Sequence, residues 1–125
     1  MKRRILLIDD DSIVRATIEM MLSGLGYDVI SAHDGREGMR RFTAESPDLV
    51  ITDIIMPEKE GLETIIEMRR QQPTAKILAI SGGGRIGTVE VLDLAAQLGA
   101  DYVLGKPFDR EELSGAIARC LSVDG

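Results

Sequence analysis

Residues 3–12 read "RRILLIDDDS". Four apolar residues run into three consecutive carboxylates, Asp9, Asp10 and Asp11, and an apolar-periodic stretch follows. At contact, two unit charges repel by about 4 kcal/mol at an effective dielectric of roughly 20. A cost of that size at a strand end calls for positive charge at that place.

Outward from this point the same alternation recurs. Short apolar runs at "RILLID" (4–9), "YDVISA" (27–32), "DLVITD" (48–53), "AKILAI" (75–80) and "DYVLG" (101–105) read as strands. Each is followed by a helical pattern. Val14, Ile18, Met21, Leu22 and Leu25 recur at three- and four-residue spacing, with Gly24 and Gly26 as the stop. The second helix is predicted near 35–45 after Asp34-Gly35 and closed by Pro47. The third, near 61–71, carries Leu62, Ile65 and Met68 or Arg69 on one face and ends before Pro73. A fourth is predicted near 88–98. The last opens at Asp109, with Glu112 completing a capping box, and carries Leu113, Ile117 and Leu121.

Five βα units in series predict an α/β fold, a doubly wound five-stranded parallel sheet with right-handed crossovers and helices on both faces. The first, third and fourth strands are nearly pure apolar, as central strands should be. The second and fifth mix in Tyr27, Asp28, Ser31, Asp101 and Tyr102, which suits edges.

Bulk properties bound the function. With 125 residues, 44% apolar and 29% charged, the chain reads as one globular domain over 1–125 with no output domain. A net charge of −6 and basic runs no longer than the three residues Lys2-Arg3-Arg4 argue against direct nucleic-acid binding. One cysteine, Cys120, excludes an internal disulfide and fits a reducing, cytoplasmic setting. No apolar run approaches the roughly 20 residues of a membrane span.

Ligands of such sheets sit beyond the carboxyl ends of the strands, at the point where strand order reverses. There the first strand delivers Asp9 and Asp10, the third Asp53, the fourth Ser81 and the fifth Lys106. Three carboxylates form a hard oxygen site of charge −3, which Mg²⁺ and Lys106 together balance. The Ser81 hydroxyl and Lys106 ammonium are donors suited to a phosphoryl group, and Asp53 is the candidate nucleophile.

This constellation, with "ITDIIMPEKEG" around Asp53 and "GKPF" around Lys106, resembles the receiver domain of two-component response regulators, over essentially the whole chain. The resemblance implies a flavodoxin-like sheet of order 2-1-3-4-5 and phosphorylation of Asp53 by a sensor histidine kinase or histidine phosphotransfer protein. It implies Mg²⁺ (or Mn²⁺) held directly by Asp10, Asp53 and the main-chain carbonyl of Ile55, with Asp9 acting mostly through water. Ser81 and Lys106 would hold phosphoryl oxygens, and the Lys106-Pro107 bond would be cis. A downstream protein, and homodimers, would use the face made by the fourth helix, fifth strand and last helix. The expected function is a phosphorylation-operated switch and not an enzyme beyond self-phosphorylation and slow self-dephosphorylation. The alternative is a phosphate shuttle or sink in a phosphorelay. Asp11 falls outside the set and reads as a helix N-cap.

Three departures from the family pattern stand out. Val103 occupies the usual aromatic position three residues before the lysine, and Tyr102 is one step earlier, on the opposite strand face. "SGGGRIG" (81–87) is a glycine-rich insert, expected to be mobile before phosphorylation. Ile55 and Gly83, the positions that influence hydrolysis in the family, cannot orient a water, so the phospho-form is expected to be long-lived.

Other patterns are weaker. Gly82, Gly84 and Gly87 spell a dinucleotide fingerprint, but Asp101 begins the next strand instead of ending it. Asp9-x-Asp11 looks like the first motif of haloacid-dehalogenase-type phosphatases, a reading that leaves Asp53 unexplained. His33 reads as a solvated loop residue, Cys120 as packing, and "EMRRQQ" as a solvated helix end with cations near the negative dipole end.

Overall fold

The structure, a computed structural model, describes residues 3–53, 60–81, 97 and 99–122. Five parallel strands, β1 (Arg4–Ile8), β2 (Asp28–Ala32), β3 (Leu49–Asp53), β4 (Ile77–Ser81) and β5 (Tyr102–Gly105), form one sheet of order β2-β1-β3-β4-β5. The helices are α1 (Ser12–Gly24), α2 (Gly35–Glu45), α3 (Glu60–Gln71) and a final helix, Arg110–Ser122. Each strand boundary falls within two residues of its predicted place. The predicted fourth helix, most of the glycine-rich insert, Ile55 and the side chains of Leu62 and Ser81 lie outside the described residues.

Period-two alternation splits the core into two layers. Leu6, Ile8, Val50, Ile77 and Ala79 face Phe42 of α2 and Ile65 and Met68 of α3. Ile5, Leu7, Ile51, Leu78 and Ile80 face Ile18 and Leu22 of α1 and Leu113, Ile117 and Cys120 of the final helix. Every apolar residue from Ile5 to Ile8 is fully buried, which is why β1 reads as an unbroken apolar run. Burial of side chains this size contributes about 1.5–3 kcal/mol each. Gly38 allows α2 its close approach, since a Cβ there would overlap the Ile8 side chain.

The arrangement of helices follows from strand order. The step from β1 to β2 runs one way across the sheet and the later steps run back, so right-handed crossovers place α1 and α2 on opposite faces. The reversal opens between β1 and β3, which pair directly from Ile5↔Leu49 to Ile8↔Thr52. The next residue of each strand is an aspartate.

Local signals act as read. Asp11 caps α1, accepting from the Ile13 and Val14 amides at 2.9 and 3.2 Å. Asp109 and Glu112 form the reciprocal box, with bonds of 2.9 and 2.7 Å. One reading is corrected. Arg69 is not a solvated helix-end cation: its guanidinium donates to the carbonyls of Pro73 and Ala75 at 2.7 and 2.5 Å and to that of Gly99, and it pairs with Asp101 at 3.1 Å. It is half-buried in this role because α3 ends against the amino ends of β4 and β5, where strand-entry carbonyls need donors.

Candidate functional site

Asp9 follows β1 and is completely buried, while Asp53 closes β3 and is 5% exposed. Lys106 follows β5 and reaches both, with Nζ 3.1 Å from Asp53 Oδ2 and 3.6 Å from Asp9 Oδ2. The Lys106-Pro107 peptide is cis, as the resemblance implies. Asp9 Oδ1 accepts from the Asp11 amide at 2.9 Å, and Asp9 Oδ2, though buried, has no hydrogen-bond donor among the described residues. At 3.6 Å Lys106 is too far to serve as one.

Burial pushes the Asp9 carboxyl above the usual carboxylate range. The neighbouring Asp53 and Asp10 charges push it further, against the opposing pull of the Asp11 amide and Lys106. Among the described residues, a buried carboxylate oxygen without a donor stands beside a second carboxylate, and both contact the same ammonium, which makes a strongly acidic pocket. Its donors are all oxygen, which fits a hard divalent cation such as Mg²⁺.

The structure brings together three of the strand-end residues, Asp9, Asp53 and Lys106. Asp10 is exposed at the turn into α1, and among the described residues no three acidic, His or Cys side chains converge as a metal cluster. Two carboxylates suffice for Mg²⁺, which usually keeps several waters. Ser81 ends β4 in register with Gly105, between the strands that deliver Asp53 and Lys106. Its side chain and the Ile55 carbonyl lie outside the described residues.

Beside Lys106 runs an apolar groove of about 250 Å³, lined by Ile13, Val14 and Met21 of α1 and by Pro107 and Phe108. Ile13 is 76% exposed at its rim. A larger hollow of about 400 Å³ between α2 and α3 is lined by Arg36, Glu63 and Glu67 and includes no strand-end residue.

On β5, Tyr102 packs with the layer under the final helix and lies beneath the Arg119 guanidinium at 5.3 Å, whereas Val103 packs on the opposite face. The strand's alternation therefore keeps the tyrosine on the final-helix side, as its register predicts. His33 is exposed and bonded to Glu37 at 2.5 Å, in keeping with a solvated loop residue.

One site residue escaped the reading of the sequence. Arg15 donates from Nη1 to the Asp9 main-chain carbonyl at 2.7 Å. A signal existed, since Arg15 is a cation near the amino end of α1, where the helix dipole disfavours it.

Comparison with known proteins agrees with this geometry. The family described as response regulator receiver domain matches residues 5–118. A probable transcriptional regulator, ycf27, of Porphyridium aerugineum is 37% identical over 120 residues, covering 96% of this chain and 48% of that protein. The alkaline phosphatase synthesis transcriptional regulatory protein PhoP of Bacillus subtilis is 32% identical over 123 residues, 97% of this chain and 49% of that protein. The chain thus spans about half the length of the curated relatives it matches. A crystal structure of a response regulator receiver domain protein from Clostridium thermocellum superposes with a TM-score of 0.87 at 33% identity, covering 96% of this chain and 94% of that one. With its sheet order, its strand-end aspartates and lysine, and these matches, the chain belongs to the response regulator receiver domain family.

Proposed function

We propose that Asp53 is the phosphoacceptor of a two-component pathway and that Asp9, Asp10, Asp53 and the Ile55 carbonyl hold Mg²⁺ (or Mn²⁺) beside it. The observation that carries this reading is the shared contact of Lys106 with Asp53 and Asp9 at the sheet's reversal point. Asp53 attacks the phosphorus of a phosphohistidine. A P–O bond forms as the P–N bond breaks, and the imidazole leaves with the electron pair and takes up a proton. Lys106 neutralises charge on the transferred oxygens, and Ser81, one strand over, is the hydroxyl donor to them. A bound divalent cation supplies the remaining neutralisation that the carboxylate pair requires. Neither Ile55 nor Gly83 carries a side chain able to position a water, so the acyl phosphate is long-lived.

The donor is a sensor histidine kinase or a phosphotransfer protein, and it docks along the apolar groove of α1. That groove's wall includes Lys106, so a helix seated there presents its histidine within reach of Asp53. Phosphorylation then switches binding of a downstream protein, or a second copy, at the face containing β5 and the final helix. The net charge of −6 speaks against nucleic acid as a direct partner. Among the described residues no helix is long and apolar enough to cross a membrane, and we place the protein in the cytoplasm.

A second reading, a phosphate shuttle, is supported by one observation. Val103 stands where an aromatic switch would be expected, while Tyr102 is committed to the final-helix side. Rapid return of the phosphoryl group to a phosphotransfer protein, without phospho-dependent target capture, would select it.

Intact-mass measurement after incubation with acetyl phosphate and Mg²⁺ tests the central assignment. Wild type should gain one phosphoryl group and Asp53→Asn none. Persistent labelling of the variant would move the site elsewhere.

A further inference from the structure

We propose that Arg15 is a positioning residue for the acidic pocket, fixing the turn that carries Asp9 and Asp10 and thereby setting metal affinity. The proposal rests on the reading of that pocket as the Mg²⁺ site.

β1 ends its ladder at Ile8, which pairs with Ala32 on one side and Thr52 on the other. The Asp9 amide still reaches the Ala32 carbonyl at 3.1 Å, but the Asp9 carbonyl lies past the last paired residue of both neighbours. Within the turn four amides are committed elsewhere. That of Asp11 goes to Asp9 Oδ1, those of Ile13 and Val14 go to Asp11 Oδ1, and that of Arg15 goes to the Asp11 carbonyl at 2.8 Å. Among the described residues, the donor that the Asp9 carbonyl finds is the Arg15 guanidinium, at 2.7 Å and partly buried.

Two bonds therefore hold Asp9 from opposite sides. Its carbonyl is anchored to α1 through Arg15, and its carboxylate is anchored through Oδ1 to the Asp11 amide. Together they fix the peptide plane and the carboxylate plane, so that Oδ2 is aimed at Lys106 and Asp53. A guanidinium has several donors in a planar fork and stays charged at any working pH, which suits a bond that must hold while the local charge changes. Placing a cation four residues past an N-cap opposes the dipole of α1 by a few tenths of a kcal/mol. The bond to Asp9 gives that placement a purpose.

The test compares wild type with Arg15→Met, which keeps the apolar stem and removes the donors, and Arg15→Lys, which restores a single charged donor. Far-UV circular dichroism establishes that each variant is folded. Magnesium affinity is measured by titration calorimetry, and exchange of the Asp11 amide is measured in metal-free protein. Arg15→Met should bind Mg²⁺ about tenfold more weakly, in the range seen when partners of metal ligands are removed. Its Asp11 amide should exchange faster without metal, and Arg15→Lys should recover part of both. Arg15→Met with wild-type affinity and wild-type Asp11 protection overturns the proposal alone, as does Arg15→Lys no better than Arg15→Met. Wild type that fails to bind millimolar Mg²⁺ overturns the metal reading itself.

Discussion

Lys106 lies 3.1 Å from Asp53 although β4 stands between the strands that carry them. Register puts Asp53 level with Ile80, and Ile80 level with Leu104, two residues before the lysine. Two strand spacings amount to roughly 10 Å, so the lysine must fold back across the carboxyl end of β4 to make the contact. The lysine side chain therefore crosses the carboxyl end of β4, and the cation reaches Asp53 because parallel order gathers the strand ends on one edge.

Since Lys106 is the ammonium that Asp9 and Asp53 share, Lys106→Ala should destabilise metal-free protein. A buried pair that loses one partner costs about 3–5 kcal/mol, but the lysine side chain is 22% exposed, so about 1–2 kcal/mol is expected. Urea denaturation in EDTA measures it. Saturating Mg²⁺ should remove most of the difference, and equal stability of variant and wild type in EDTA would show that Lys106 neutralises nothing.

Asp9→Asn should act in the opposite direction. The Asp9 carboxyl titrates above its ordinary 3.8 because burial disfavours its charge, so the folded state binds this proton more readily than the unfolded state. Stability from this group is present at low pH, falls as pH rises through the raised folded value, and stays reduced at neutrality. In EDTA at pH 7 the asparagine variant should melt above wild type by a few degrees, about 1 kcal/mol corresponding to roughly 4 °C in a domain of this size. The gap should close as pH approaches about 4. With Mg²⁺ at ten times its dissociation constant, wild type should gain about 1.4 kcal/mol that the variant does not. A melting temperature indifferent to Mg²⁺ in both proteins would contradict the assignment.

Ile13 is 76% exposed, so Ile13→Glu should change stability by no more than about 0.5 kcal/mol. If the groove of α1 receives the phosphodonor, the same change should slow phosphotransfer from the cognate kinase about tenfold, the equivalent of about 1.4 kcal/mol of docking energy. Labelling by acetyl phosphate, which needs no docking surface, should be unchanged. Equal slowing with both donors would place the effect in the pocket instead.

The fold was legible because its determinants are local and periodic. Apolar runs of four or five residues, the Asp11 cap and the Asp109-Glu112 box all act within one turn or one strand. The pocket was legible for a related reason, since Asp9, Asp53 and Lys106 each stand at a strand end and parallel order gathers strand ends on one edge. Arg15 and Arg69 were not legible in the same way. Each satisfies main-chain carbonyls left over where the chain turns, Arg15 six residues from its acceptor and Arg69 up to 30 residues from its own. A sequence names side chains, but it does not show which carbonyls lack a partner.

Cys120 illustrates a residue whose packing sets its chemistry. It is fully buried on the sheet-facing side of the final helix, and its thiol is pushed up to about 12, chiefly by burial and further by the Asp101 charge. At pH 8 only about one molecule in ten thousand would carry the thiolate, the reactive form. Native protein should therefore resist a disulfide-exchange reagent that labels the urea-unfolded chain within minutes. Fast labelling of native protein would mean that the final helix opens readily or that the thiol is exposed.

Arg69 separates the stability of the domain from its chemistry. Its guanidinium joins the end of α3 to the carbonyls of Pro73, Ala75 and Gly99, and Asp101, its ion-pair partner, accepts the Ile77 amide at 2.7 Å. These contacts pin the amino ends of β4 and β5, the edge of the sheet opposite the aspartates. Gly99 allows the approach, with φ at +127° and Arg69 Nε 3.1 Å from where a Cβ would stand. Arg69→Ala removes the guanidinium donor from three carbonyls and the ion-pair partner from Asp101 and should cost about 2–4 kcal/mol. Arg69→Lys should recover only a minority of that, because one ammonium cannot reproduce the planar fork. Under conditions where the variants remain folded, their Mg²⁺ affinity and acetyl phosphate labelling should match wild type. A variant with intact stability would refute the pin, and one that is folded yet unlabelled would show that the two edges of the sheet are coupled.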